Sequence, residues 1–103
     1  MLVVVPHTPM HDIRTPLYRS FGRKVEDIIV VYDKAILDLK DYRILRGRAE
    51  QIFSKLNDRN IALLLTGSYA ACIIVYDVMR ELGFEPRLLL YDSHLRRYFE
   101  VSV

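Results

Sequence analysis

Short runs of apolar residues, separated by polar and turn-forming segments, divide the chain at similar intervals. The first four runs lie within residues 2–5, 27–32, 61–65 and 87–91. Unbroken apolar runs of this length are typical of strands in a parallel sheet that is covered on both faces. Pro6 predicts the end of the first strand. A fifth strand is predicted over 97–102, and the short turn at 92–94 favours an antiparallel hairpin between the last two strands.

Three helices are predicted between the strands. The first begins at Thr15 as its N-cap, with Pro16 at the first helical position, and runs to about Phe21. The second covers about 41–57, where apolar residues recur at helical spacing. The third follows a Thr-Gly-Ser turn and covers about 69–82.

This β-α-β-α-β-α-β-β order predicts an α/β fold, a Rossmann-like three-layer sandwich with helices on both faces of the sheet. Right-handed crossovers favour the strand order 2-1-3-4-5, with the last strand antiparallel at the edge. Ligands of such sheets bind outside the carboxyl ends of the strands, where the direction of winding reverses. Here that point lies between strands 1 and 3. We therefore expect the loops after His7 and after residue 65 to be neighbours in space.

Composition narrows the functional classes. The chain has 103 residues, of which 51% are hydrophobic and 27% charged, which fits one folded domain over 1–103. A net charge of +2 does not suit a general binder of duplex DNA. Two local basic clusters form either solvated helix faces or contacts to an anionic ligand or single-stranded RNA. They comprise Arg14, Arg19, Arg23 and Lys24, and Arg43, Arg46 and Arg48.

Other features set expectations about location and cofactors. No apolar segment is long enough for a signal peptide or a membrane span, so we expect a cytoplasmic protein with no membrane partner. The single cysteine, Cys72, cannot form an intramolecular disulfide. No spacing of cysteine, histidine and acidic residues predicts a metal site, and no cofactor is expected.

The turn at 66–68 has features of a phosphate site. Gly67 lets a ligand approach the backbone closely, and Ser68 is a natural N-cap for a helix whose free N–H groups attract anions. Thr66 adds a hydroxyl donor. The same residues also fit an ordinary capped turn, and they lack the glycines of a dinucleotide fingerprint and the lysine of a P-loop.

His7 follows a buried strand and is placed to enter the same crevice, as a phosphate donor or as an acid or base. The alternative is a histidine that only hydrogen-bonds its own loop. Thr8 either caps the loop or contacts phosphate, and Tyr69 either stacks on a base or packs beside the helix start.

The third helix is apolar on two faces. One face contains Ala71, Ile74, Val75 and Val78, and the other contains Cys72, Ile73, Tyr76 and Met79. The sheet can cover one face only, so the second predicts either a two-fold dimer through 69–82 or coverage by the chain's own elements. A dimer would bring two copies of the 66–69 turn close to the symmetry axis.

These segments resemble a known family. The run 63–71 (LLLTGSYAA), the apolar helix after it, and LLLYD at 88–92 resemble the latter half of CRISPR-associated Rossmann-fold (CARF) domains, and VVVPHTP at 3–9 resembles the opening of small stand-alone proteins of that type. The commonest CARF pattern has a second glycine and a Thr-Lys pair where this chain has Ser68, Tyr69 and Ala70. Arg14, Arg19 or an arginine of the second helix would then have to replace the lysine.

The resemblance implies a homodimer that binds a cyclic oligoadenylate, commonly cyclic tetra-adenylate, across its two-fold axis. It further implies a metal-independent ring nuclease that ends type III CRISPR signalling. In that role His7 and Ser68 are the expected catalytic residues, and the expected ligand-binding residues are Thr8, Arg14, Thr66, Gly67 and Tyr69. Two alternatives stay open: a non-catalytic binder or sponge of the same ligand, and a small RNA-binding α/β protein.

Overall fold

The protein is described by a computed structural model over residues 1–33 and 41–101. Within these ranges five strands and three α-helices alternate in the predicted order. The elements are β1 Leu2–His7, α1 Arg14–Phe21, β2 Asp27–Tyr32, α2 Tyr42–Phe53, β3 Ile61–Leu64, α3 Tyr69–Glu81, β4 Arg87–Asp92 and β5 Arg97–Val101. The predicted last residue of β5, Ser102, lies outside the described residues.

The strands form one sheet in the order β2-β1-β3-β4-β5, as predicted. β1 pairs in parallel with both β2 and β3, and β3 pairs in parallel with β4. The β4–β5 pair is antiparallel, with Tyr91 opposite Tyr98. The fold is therefore α/β and Rossmann-like, with an antiparallel strand at one edge.

Alternate residues of the central strands fill two separate cores. Leu2 and Val4 pack on the side of α2 and α3, together with Leu63. Val3 and Val5 pack on the opposite side, against α1. Because helices cover both sides of the sheet, these strands need no polar face, which explains their unbroken apolar runs.

The predicted end of β1 and the predicted start of α1 were both wrong. β1 continues through Pro6 to His7. β3 pairs only with the first half of β1, so Pro6 lies where β1 has one neighbour, and a strand tolerates proline there. α1 begins at Arg14, and Thr15 is not its N-cap.

Asp12 replaces Thr15 in capping α1. Its Oδ1 accepts hydrogen bonds from the backbone N–H groups of Arg14 (3.0 Å) and Thr15 (3.4 Å). Pro16 still lies in the first turn, where a missing N–H costs nothing. The predicted helix over 41–57 is also shorter: α2 ends at Phe53, after which Lys55 and Leu56 form tighter turn bonds.

Tyr32, at the end of β2, ties the sheet to α2. Its side chain is fully buried, and its hydroxyl donates a hydrogen bond of 2.6 Å to the carbonyl of Leu45. Burial raises the pKa of this phenol to about 12, and the positive charges of Arg46 and Arg48 oppose that rise. The folded state therefore requires the neutral phenol.

Among the described residues, no helix is both long and apolar enough to cross a membrane.

We predict that Tyr32→Phe lowers the free energy of unfolding by about 0.5–1.5 kcal/mol, because it removes a buried hydrogen bond to the Leu45 carbonyl. The wild type should also lose stability as the pH rises from 10.0, the ordinary pKa, towards about 12, since the unfolded chain releases the Tyr32 proton first. Urea unfolding at neutral and alkaline pH measures both effects. Tyr42→Phe, on an exposed tyrosine of α2, is the control; equal losses in the two variants would contradict the assignment.

Candidate functional site

A cavity of about 720 Å³ opens at the carboxyl ends of β1, β3 and β4. It is lined by His7 and the loop that follows it, by the turn at 66–68, and by Tyr91 and Tyr98 of the β4–β5 hairpin. The loop after β1 leads to α1 on one face of the sheet, and the turn after β3 leads to α3 on the other. The cavity therefore lies at the reversal point predicted from the strand order.

The structure brings together most of the residues singled out in the sequence. His7 and Thr8 line the same cavity as Thr66, Gly67 and Ser68, although the two segments are about 60 residues apart. A Cβ atom placed on Gly67 would lie 3.8 Å from the Cβ of His7, so the two segments are in direct contact.

Two of the predicted ligand-binding residues are not part of this cavity. Tyr69 is 86% exposed and does not line it. Arg14 is the exposed first residue of α1 and lies near the cavity, next to Asp12, but does not line it.

Gly67 and Ser68 together shape the turn into α3. Gly67 has a φ of +78°, which favours glycine over residues with a side chain. Ser68 is the N-cap of α3, and its side chain accepts a 3.4 Å hydrogen bond from the N–H of Ala71. The serine oxygen thus caps the helix while its hydroxyl proton can still be donated to a ligand. A capped turn and a ligand site are compatible in this geometry.

The Nδ1 atom of His7 lies 3.1 Å from the carbonyl oxygen of Thr8. A carbonyl oxygen can only accept, so Nδ1 carries the proton, and a neutral ring then has its lone pair on Nε2. His7 does hydrogen-bond its own loop, as the alternative interpretation supposed. That bond fixes the ring and leaves Nε2 to accept a proton or a hydrogen bond.

Thr8 holds the loop to the neighbouring strand. Its N–H donates to the carbonyl of Tyr32 at 2.9 Å, and its hydroxyl donates to the same oxygen at 3.4 Å. The hydroxyl of Thr8 is therefore engaged with β2, and the residue positions His7 beside the cavity.

Asp12, Tyr91 and Tyr98 are among the lining residues that the sequence did not single out for the site. The two tyrosine rings are tilted against each other, with centroids 5.2 Å apart and planes inclined by 56°. Pairing 91 with 98 across the predicted hairpin could have found them, because cross-strand partners share one face. A hydrogen bond from the Thr15 side chain, with further bonds from the backbone, lowers the pKa of Asp12.

Among the described residues, those that line the cavity include no lysine or arginine. Arg46 forms ion pairs with Asp77 (2.6 Å) and Glu81 (2.5 Å), and the Nε of Arg48 donates to the carbonyl of Val31 at 2.9 Å. Arg19 lies in the last turn of α1 and so at the opposite end of the sheet. Of the proposed replacements for the lysine, Arg14 and Arg43 lie in the first turns of α1 and α2, at the edge of the sheet where the cavity opens, but neither lines it.

The second apolar face of α3, which was predicted to need a partner, is partly covered by the chain itself. Cys72 and Met79, from the predicted interface, are buried within the chain's own core region. Ile73 is 67% exposed and Tyr76 is partly exposed. Together with Tyr69 they form an exposed apolar stripe along α3, at the spacing of one helix face.

The described residues contain no group of three or more histidine, cysteine, aspartate or glutamate side chains arranged to hold a metal ion.

Two glycine substitutions should have opposite effects on stability. Gly67→Ala forces a side chain into a backbone conformation with positive φ, and we expect it to destabilise the fold by about 1–2 kcal/mol. Gly47→Ala, within α2 and with open space around it, should stabilise by about 0.5–1 kcal/mol. Thermal or urea unfolding of the two variants provides the comparison, and a Gly67→Ala protein as stable as the wild type would contradict the turn geometry.

Comparison of the chain with protein-family models, with curated protein sequences and with solved structures found no match in any of the three.

Proposed function

We propose that the protein binds a cyclic oligoadenylate at the cavity between β1 and β3 and cleaves it, as a homodimer, to switch off type III CRISPR signalling. The supporting observation is that His7 and Ser68, from distant parts of the chain, line one cavity at the reversal point of the sheet. The resemblance of 3–9 and 63–71 to small CARF proteins supplies the ligand class.

The proposed reaction uses a nucleophile that the ligand itself carries. A ribose 2′-oxygen bonds to the adjacent phosphorus, and the bond from that phosphorus to the 5′-oxygen breaks. His7 Nε2 takes the 2′-proton, and the leaving 5′-oxygen takes a proton from water, so the product is a linear strand ending in a 2′,3′-cyclic phosphate. The hydrogen bond at Nδ1 holds the His7 imidazole in one orientation, which favours proton transfer from the 2′-hydroxyl to Nε2.

Ser68 and the start of α3 are the groups that would meet the phosphate. The first N–H groups of a helix have no partner within it, and they carry a partial positive charge. The hydroxyl of Ser68 adds a donor at the same point. These groups can stabilise the charge that develops on the phosphate oxygens during attack, and Arg14 is close enough to the opening to contribute a full charge.

The exposed stripe of Tyr69, Ile73 and Tyr76 supports the dimer. Ser68 directly precedes this stripe, so pairing of two α3 helices about a two-fold axis would bring two 66–68 turns close together. A cyclic ligand with several phosphates would then contact both turns at once.

A binder that does not cleave is the second candidate, and the lack of lysine and arginine in the lining favours it. Within the lining, charge stabilisation of a transition state would then come from the start of α3 and Ser68, and a full positive charge would have to come from outside the lining, for example from Arg14. The RNA-binding alternative depended on Arg43, Arg46 and Arg48 of α2. Arg46 and Arg48 bond to other groups of the chain, whereas Arg43 is exposed on the surface.

We predict that His7→Ala and Ser68→Ala each slow cleavage of cyclic tetra-adenylate by at least about tenfold, because they remove the base and a phosphate donor. Purified protein is incubated with the ligand and excess EDTA, and the products are separated by chromatography beside a gel-shift assay. His94→Ala, an exposed histidine of the β4–β5 turn, is the control and should cleave at the wild-type rate.

The outcomes separate the candidates. A gel shift without products from the wild type would identify a binder, and wild-type turnover by either variant would remove that residue from the mechanism. No shift and no products with this and other ring sizes would contradict the proposal altogether.

We predict that Ile73→Glu converts the dimer to a folded monomer. The side chain is exposed in the single chain, so the fold tolerates a charge there, whereas a dimer interface would bury that charge without a partner. Light scattering measures the mass, and Ile44→Glu, a similarly exposed isoleucine on α2, is the matched control. An Ile73→Glu protein with the same mass as the wild type would exclude this interface.

A further inference from the structure

The cavity has two chemically different parts. One part is the turn at 66–68, which offers N–H groups and a hydroxyl. The other is formed by Asp12, Tyr91 and Tyr98, which bring one carboxylate and two aromatic rings to the side facing α1. A negatively charged phosphate would be repelled by Asp12, so this second part favours a group that is not an anion and can donate a hydrogen bond.

We propose that the second part of the cavity is an adenine pocket, in which Tyr91 stacks on the base and Asp12 accepts a hydrogen bond from its 6-amino group. This inference rests on the proposed cyclic oligoadenylate ligand and identifies how its base would be selected. Tyr91, Tyr98 and Asp12 are then specificity-determining residues, separate from His7 and Ser68.

The two tyrosines are suited to different tasks. Tyr91 is 47% exposed and has a ring face available to a ligand, whereas Tyr98 is only 7% exposed. The backbone of Tyr98 is also tied to α1, because its N–H donates a 2.9 Å hydrogen bond to the Ser20 hydroxyl. With its centroid 5.2 Å from that of Tyr91, the fixed Tyr98 ring supports the exposed one. A base stacked on a pre-positioned ring loses little conformational freedom on binding.

Asp12 is fixed beside the aromatic pair. Its Oδ1 is tied to the backbone at the start of α1, and Oδ2 has acceptor capacity for a ligand. Its charge also reaches Tyr98: burial raises the pKa of that phenol, and the charges of Tyr91 and Asp12 add to the effect. A fixed acceptor at the edge of a stacking surface matches a base that carries an exocyclic amine.

The size and polarity of the cavity fit this division. Its volume of about 720 Å³ lies within the range of small-molecule sites, about 300–1,000 Å³. The remaining walls near the tyrosines include Ile13 and Pro16. One nucleoside can therefore be enclosed while its phosphate extends to Ser68 at the opening.

Adenosine tests the adenine pocket separately from binding and cleavage of the cyclic oligoadenylate. NMR spectra of protein with ring-labelled tyrosine should show adenosine shifting the Tyr91 and Tyr98 signals. Tyr91→Ala should weaken adenosine binding by about tenfold, and Tyr91→Phe, which keeps the ring, should bind like the wild type. Tyr42→Ala, an exposed tyrosine on α2, is the control and should leave binding unchanged.

Purine riboside, which lacks only the 6-amino group, tests Asp12. The wild type should bind adenosine about tenfold more tightly than purine riboside. Asp12→Ser keeps an oxygen that can cap α1 and should bring the two affinities within about twofold. An unchanged preference in Asp12→Ser would overturn the role of Asp12.

The results also separate this inference from the proposed function. Ring cleavage that is unaffected by Tyr91→Ala, or tyrosine signals that do not move at any soluble concentration of adenosine, would overturn the adenine pocket. Adenosine bound at Tyr91 by a protein that neither binds nor cleaves the ring would support the pocket and reject the ring nuclease.

Discussion

Burial of β1 and β3 on both faces is the constraint on which the rest of the structure depends. Val3 and Val5 face α1, while Leu2 and Val4 face α2 and α3, and all four are buried. Strands of this kind are stable only between two helical layers. The connection after β1 must therefore lead to one face and the connection after β3 to the other, and a crevice forms where they part.

Hydrogen bonds at the end of β2 hold that crevice in shape. The carbonyl of Tyr32 accepts two bonds from Thr8, and the phenol of the same residue donates to the carbonyl of Leu45. The loop that carries His7 is thus tied through one buried residue to α2. In the proposed mechanism His7 transfers a proton, which requires a fixed orientation, and β2 supports its loop through Thr8.

The distribution of charge around the cavity matters as much as its shape. Arg46 is paired with Asp77 and Glu81 on α3, where it stabilises the packing of two helices and is not available to a ligand. Among the described residues, the 66–68 turn offers N–H groups and hydroxyl groups, and Asp12 adds a carboxylate to the same cavity. In the proposed function, the phosphate of the ligand would contact the turn, and its base would lie at the part of the cavity that contains Asp12.

The sequence by itself determined the order of the elements, the topology of the sheet and the edge at which the cavity opens. Apolar runs and helical spacing are local patterns of neighbouring residues, and the right-handed crossover rule then fixes how the predicted elements connect. It also identified His7 and the 66–68 turn, because both directly follow buried strands. Only the tertiary structure decided the capping of α1 by Asp12, the engagement of the arginines of α2, and the burial of Cys72 and Met79. It also decided that Tyr91, Tyr98 and Asp12 share the cavity. The capping by Asp12 is a local contact to residues two and three positions further on, where the sequence also offered Thr15 as the cap. The others depend on contacts between elements far apart in the chain, where packing and not the local pattern selects the partner.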